Sequence, residues 1–213
     1  MTVSLIIPFA SEDIRRLQIF DWVEARWGDT CPGFEICVGH DDPADFNRSK
    51  ARNRAFEQSH GEVIVISDAD TACPIENVLG ALKIVETDPL QWVIAHTEYY
   101  SLTEDYTDWL FTQPPGMVFR PPFPCNWRMV NKSQAGVIVM DRAAYEAAGG
   151  YDEAFDGWGY EDNEFAVRMT RKIGQPTRVF GPMLHLWHDP GLNFQQPNIA
   201  HNEALYQKTV RGE

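Results

Sequence analysis

The chain has 213 residues, 44% hydrophobic and 12% aromatic. That is enough to bury a sizeable core and too apolar for a disordered chain. Lys and Arg number 18 against 31 Asp and Glu, and a formal charge of −13 argues against non-specific binding of phosphate backbones.

No apolar run reaches the roughly 18–20 residues that span a bilayer, so no membrane span is expected. The opening MTVSLIIPFASEDIRRL lacks the basic start of a signal peptide. Cys31, Cys37, Cys73 and Cys125 have no C-x-x-C spacing, which fits reduced thiols in a cytoplasmic setting.

In chain order, VSLII at 3–7 reads as a buried strand. A helix follows with Ser11 as its N-cap, carried by Ile14, Leu17, Phe20, Val23 and Trp27 and stopped at Gly28. FEICVG at 34–39 is a second strand, and 47–61 is a helix with a strongly basic face. EVIVIS at 62–67 is a strand that runs straight into Asp68-Ala69-Asp70. Residues 75–86 form a helix and 92–96 a strand. This alternation predicts an α/β fold with a mostly parallel central sheet and helices on both faces. The stretch 97–133, with five prolines and many aromatics, shows little periodicity and reads as a long functional loop. Strand 135–140, helix 141–150, helix 161–174, strand 177–180 and a weakly helical tail from about 198 complete the chain. No repeat or linker divides it, so one domain over 1–213 is expected.

Three constellations carry chemistry. Asp68 and Asp70 end a hydrophobic strand, where ligands of open α/β sheets bind. Two carboxylates there suit Mg²⁺ or Mn²⁺ bridging to a phosphate, with an ordinary acidic turn as the plainer alternative. His185 and His188 form an H-x-x-H able to converge on one metal if the segment turns, and imidazole favours Mn²⁺ over Mg²⁺. In GWGYEDNEF at 157–165, Glu161 and Asp162 open a helix whose dipole favours their ionised forms. An ionised carboxylate there is a candidate general base, and helix capping is the alternative. Gly157 and Gly159 add backbone freedom that capping does not require, and Trp158 offers a flat surface to a sugar ring. Phe46 and Arg48, at the start of the basic helix, are candidates for stacking on a base and facing a phosphate.

At these residues the sequence resembles the GT-A-fold (Rossmann-like) glycosyltransferases and, in its second half, the β-1,4-galactosyltransferase-like group. The resemblance rests on IIPF at 6–9, FNRSKARNRAF at 46–56, SDAD at 67–70 and GGYDEAFDGWGYEDNEFAVRM at 149–169. It implies that Pro8, Phe9, Phe46 and Arg48 hold the nucleotide, that Asp68 lies near the donor ribose or sugar, and that Asp70 ligates the metal. It implies Asp162 as catalytic base, with Trp158, Tyr160 and Glu161 shaping the acceptor site and Trp158 also touching the donor. His188 falls on the group's histidine ligand, and His185 where some members place a methionine.

The implied activity is inverting transfer from a UDP-sugar to a hydroxyl of a glycan, a protein or a modified nucleobase, with a Mn²⁺ cofactor (Mg²⁺ as the alternative). The implied division is a nucleotide-sugar half at 1–96 and an acceptor and catalytic half at 97–213. The loop around Trp158 is expected to close over bound donor. The group's membrane anchor has no counterpart here, which suggests a compact bacterial or phage enzyme. A sugar-nucleotide nucleotidyltransferase is the alternative enzyme, disfavoured because PFASEDIRR has no Gly-rich phosphate loop. A non-catalytic nucleotide-sugar or glycan-binding module is the other alternative.

Overall fold

The computed structural model describes residues 1–89, 91–189 and 198–213. The centre is a six-stranded sheet ordered β2-β1-β3-β8-β5-β9. Its strands are β1 (Val3–Phe9), β2 (Glu35–His40), β3 (Val63–Ser67), β5 (Trp92–Ile94), β8 (Val137–Asp141) and β9 (Thr177–Arg178). β1 runs parallel to β2 and β3, and β5 parallel to β9, while β8 is antiparallel to both of its neighbours. Five strands therefore share one direction, as expected. Every residue of β1 and β3 is buried. That is why these strands read as unbroken apolar runs.

Alternate residues of the sheet face two separate cores. Leu5, Ile7, Val65, Val93 and Val139 join α1 (Ile14–Thr30) and α3 (Ile75–Thr87) through Phe20, Val23, Val78 and Leu82. Ile6, Ile64, Ile66, Ile94 and Ile138 face the other way. They join α2 (Arg48–Gln58), α5 (Arg142–Ala148) and α6 (Glu161–Lys172) through Ala55, Tyr145, Phe165 and Met169. α2 lies so close to β2 that a Cβ on Gly39 would stand 1.8 Å from the Ala51 carbonyl oxygen.

Several local expectations need correction. α1 is capped by Asp13, whose side chain accepts from the Arg16 amide, and it runs through Gly28 to Thr30. Ser11 instead accepts from the Asp13 amide, two residues too early to cap. The expected loop 97–133 holds β6 (Glu98–Leu102), α4 (Glu104–Phe111) and β7 (Cys125–Val130). These strands have no consistently buried face, so they leave no period-2 signal. The prolines cluster in the connection from α4 to β7.

β6 and β7 belong to a second sheet, ordered β4-β10-β6-β7, with β4 (Thr71–Ala72) and β10 (Pro182–His185). β4 directly follows Asp70 and pairs antiparallel with β10, His185 opposite Thr71. The Leu186 amide donates to the Asp70 carbonyl. This short ladder brings H-x-x-H beside Asp70. The tail is α7 (Ile199–Arg211), packed on α6. Among the described residues, no helix is long and apolar enough to cross a membrane.

Candidate active site

β1 and β3 are parallel neighbours, so Pro8 and Asp68 leave the sheet at the same carboxyl end. There a cleft of about 180 Å³ is lined by Pro8, Phe46, Arg48, Asp68, Asp70, Trp158, Glu161, Asp162 and His185. Residues that lie far apart in the chain thus converge as the sequence suggested. Phe9 does not join them. It is buried and stacks on Phe20 at 4.1 Å, as part of the core under the cleft. Tyr160 lines a second cleft of about 310 Å³ together with Ile199 and Asn163. Arg48, Trp158, Glu161 and Asp162 line both clefts.

The metal candidates meet closely. One ligand atom from each of Asp70, His185 and His188 lies within 4.8 Å of the others. His188 Nε2 is 3.3 Å and His185 Nε2 3.7 Å from Asp70 Oδ2. His188 Nδ1 lies 2.9 Å from the Asp189 carbonyl, which can only accept. That contact fixes the ring and leaves the Nε2 lone pair aimed at an ionised oxygen, an arrangement that requires a cation or a proton between them. His185 Nδ1 is buried without a hydrogen-bond partner. A hard oxygen plus two imidazoles fits Mn²⁺. Burial alone would raise the Asp70 pKa, but His185, Arg16 and His188 hold it well below the usual carboxylate range.

Arg16 went unnoticed in the sequence. Its Nη1 donates to the same Asp70 Oδ2 at 2.8 Å, from the first turn of α1, and it lines the same cleft.

The base candidate sits in a charge cluster. Arg52, 1% exposed, contacts Asp68 (2.7 Å), Asp162 (3.0 Å) and Glu161 (3.8 Å), and its guanidinium lies over the Tyr151 ring at 4.5 Å. Arg48 lies 3.5 Å from Glu161, and the Tyr151 hydroxyl donates to Asp162 at 3.4 Å. Burial, reinforced by the Glu161 and Asp68 charges and opposed by Arg52 and Arg48, pushes the Asp162 pKa up to about 8. This corrects the expectation that the helix start keeps Asp162 ionised.

Capping is not its role either. The N-cap of α6 is Tyr160, with no side-chain cap bond. Glu161 accepts from the Gly159 amide at 3.2 Å. Gly157 (φ 67°), Gly159 (φ 109°) and Tyr160 (φ 70°) are all left-handed. Two glycines are thus required by the backbone path, and Tyr160 is strained but held by stacking on Tyr206 at 5.4 Å.

Arg52 and Tyr151 were also missed. The face of α2 that the structure buries is Ser49, Ala51, Arg52 and Ala55. Small residues on both sides of one arginine make room for a buried guanidinium.

Residues 40–145 match glycosyl transferase family 2, and residues 123–189 match the N-terminal domain of galactosyltransferase. No curated protein sequence matches the chain. Solved structures that share the fold include the following three. The catalytic domain of Drosophila β1,4-galactosyltransferase 7 in complex with xylobiose aligns at TM-score 0.56 and 16% identity, over 98% of this chain and 80% of that one. The Pyrobaculum calidifontis mannosyltransferase PcManGT, with GDP-Man and Mn²⁺, aligns at 0.56 and 14%, over 98% and 64%. GalNAc-T7, with UDP, GalNAc and Mn²⁺, aligns at 0.58 and 11%, over 99% and 48%. The chain thus spans less than two thirds of the last two. The fold is that of the GT-A glycosyltransferases, and residues 40–145 are similar to glycosyl transferase family 2. Within that class, its second half is similar to the galactosyltransferases.

Proposed function

We propose that the protein transfers a sugar from a UDP-sugar to an acceptor hydroxyl by a metal-dependent, inverting displacement. The observation that carries this reading is the position of Asp162 on the wall shared by two clefts. The first cleft, with Pro8, Phe46, Arg48, Asp68 and Trp158, takes the donor. The second, with Trp158, Tyr160 and Glu161, takes the acceptor. A base between them meets the acceptor hydroxyl where it faces the anomeric carbon. Residues 1–96 then serve mainly the nucleotide sugar, and 97–213 the acceptor and the base.

Asp162 accepts the hydroxyl proton while the acceptor oxygen bonds to the anomeric carbon and the bond to the diphosphate oxygen breaks. One displacement inverts that carbon and needs no covalent nucleophile. A carboxylate pushed up to about 8 is a stronger base than an ordinary aspartate. Arg52 and Tyr151 hold it in place. Mn²⁺ held by Asp70, His185 and His188 would supply charge neutralisation of the departing diphosphate. Mn²⁺ in two of the related structures supports the choice of ion, and the UDP of GalNAc-T7 supports the choice of donor.

The test is UDP release from a panel of UDP-sugars with Mn²⁺, with and without acceptor. Asp162→Asn should keep UDP-sugar binding and lose transfer by about 10²–10⁴-fold. Full transfer by that variant would remove Asp162 as the base.

A further inference from the structure

Beyond the second cleft lies a third, open groove of about 470 Å³ between α6, α7 and the loop after β7. Asn163 lines both, and Tyr160 of the second cleft stacks on Tyr206 of the groove. The groove therefore continues the proposed acceptor cleft. Its α6 wall runs from Asn163 to Arg171. The eight helical rises from the first to the last of these nine residues span about 12 Å, longer than one pyranose ring.

The chemistry of the groove differs from that of the rest of the chain. No carboxylate lines it, although the chain carries −13 overall. Arg171 and Arg178 both face it, and among the described residues neither has an ion-pair partner. Arg16, Arg48, Arg52, Arg128 and Arg168 each pair with an acid, whereas Arg26 and Arg142, outside the groove, are held by neutral oxygens as the two groove arginines are.

Neutral carbonyls hold the two groove arginines in place. Arg171 donates to the Thr209 and Val210 carbonyls, and Arg178 Nη2 donates to that of Ser133 at 2.8 Å. Carbonyls orient a guanidinium without cancelling its charge. Arg178 Nη1 is buried without a hydrogen-bond partner, and Nη2 also donates to Gln134 Oε1 at 3.4 Å. The amides of Asn131, Gln134 and Asn163 offer donor and acceptor together, which suits sugar hydroxyls. Tyr206 supplies an aromatic face.

We propose that this groove is an extended acceptor subsite for an anionic oligosaccharide. Its terminal sugar would occupy the cleft at Asp162, and a uronate or sulfate further along would reach Arg178 and Arg171. The inference rests on the second cleft taking the acceptor.

The experiment is calorimetric titration of the full chain, with Mn²⁺ and UDP present, by four probes. These are a uronate-bearing tetrasaccharide, a sulfated tetrasaccharide, neutral chitotetraose and inorganic sulfate alone. At least one acidic tetrasaccharide should bind tenfold or more tighter than chitotetraose, with affinity that falls as salt rises. Which of the two binds tighter identifies the anion. Arg178→Gln and, at an exposed position, Arg171→Gln should each erase that preference and leave UDP binding unchanged. Equal affinity for neutral and acidic probes overturns the proposal, as does a preference that survives both substitutions. Binding of inorganic sulfate as tight as that of the tetrasaccharides, or displacement of them by a short RNA at lower concentration, also overturns it. Failure of the underlying reading shows separately, as absence of Mn²⁺-dependent UDP binding in the unsubstituted chain.

Discussion

Replacing Arg52 by Gln tests the charge cluster that holds Asp162. The guanidinium is 1% exposed and contacts Asp68, Glu161 and Asp162, with Arg48 the other cation nearby. Below its pKa of about 8 Asp162 carries a proton, so two carboxylates face two arginines and the cluster is neutral. Removing Arg52 leaves two buried or half-buried charges against Arg48 alone. Breaking a buried pair in this way costs about 3–5 kcal/mol, a large part of the ~5–15 kcal/mol of a typical domain. The loss also depends on pH. Arg52 is the main cation pulling the Asp162 pKa down, so the variant raises that pKa further. A folded-state pKa above the unfolded value costs stability as pH rises through it, and the extra rise matters only where Asp162 would otherwise ionise, above about 8. The deficit in urea unfolding should therefore be about 1 kcal/mol larger at pH 9 than at pH 6.5, one pKa unit being worth 1.36 kcal/mol. In the Asp162→Asn background that added deficit should vanish. A loss below about 1 kcal/mol at pH 6.5, or a deficit that shrinks as pH rises, would refute the reasoning.

Two further outcomes follow from the site. Arg16 shares the Asp70 oxygen assigned to the metal, so Arg16→Gln should tighten Mn²⁺ binding in the absence of nucleotide by roughly tenfold, the worth of one charge-assisted hydrogen bond. Titration of Mn²⁺ followed by electron paramagnetic resonance reads this directly, and weaker binding would show that Arg16 supports the site rather than competes for it. Asp162 must lose its proton to act, so kcat/KM for acceptor should climb nearly tenfold per unit from pH 6 and level off near 8. A flat profile over that range would mean that the carboxylate is already ionised.

What the sequence reveals depends on how each feature is buried. β1 and β3 were readable because both faces are covered, so every position had to be apolar. β6 and β7 were not, because no face of either is consistently buried and aromatic and charged residues follow in no order. β10 hides for another reason: only four residues long, it gains its place from pairing with β4 and β6. The carboxylates and histidines of the site announced themselves through spacing. The cations did not. Arg16 and Arg52 reach acids 54 and 16 residues away, and a basic helix looks the same in sequence whether its arginines face water or the core.

Asp162 shows why local rules failed at the centre of the site. A helix N-terminus favours a carboxylate by about 0.3–1 kcal/mol, and up to ~2 kcal/mol when partly buried. That is about one pKa unit. Burial can move a carboxyl by up to 3–5 units the other way, and a like charge within ~4–6 Å adds to it. Asp162, its side chain 21% exposed, feels part of that burial and both like charges, with Glu161 beside it in sequence and Asp68 across Arg52. The smaller term was the one visible in the sequence, and it lost. The outcome suits the proposed chemistry. The burial that makes Asp162 reluctant to ionise makes it a better proton acceptor once it has, and Arg52 keeps its pKa near 8 rather than higher, where the carboxylate would stay protonated at working pH.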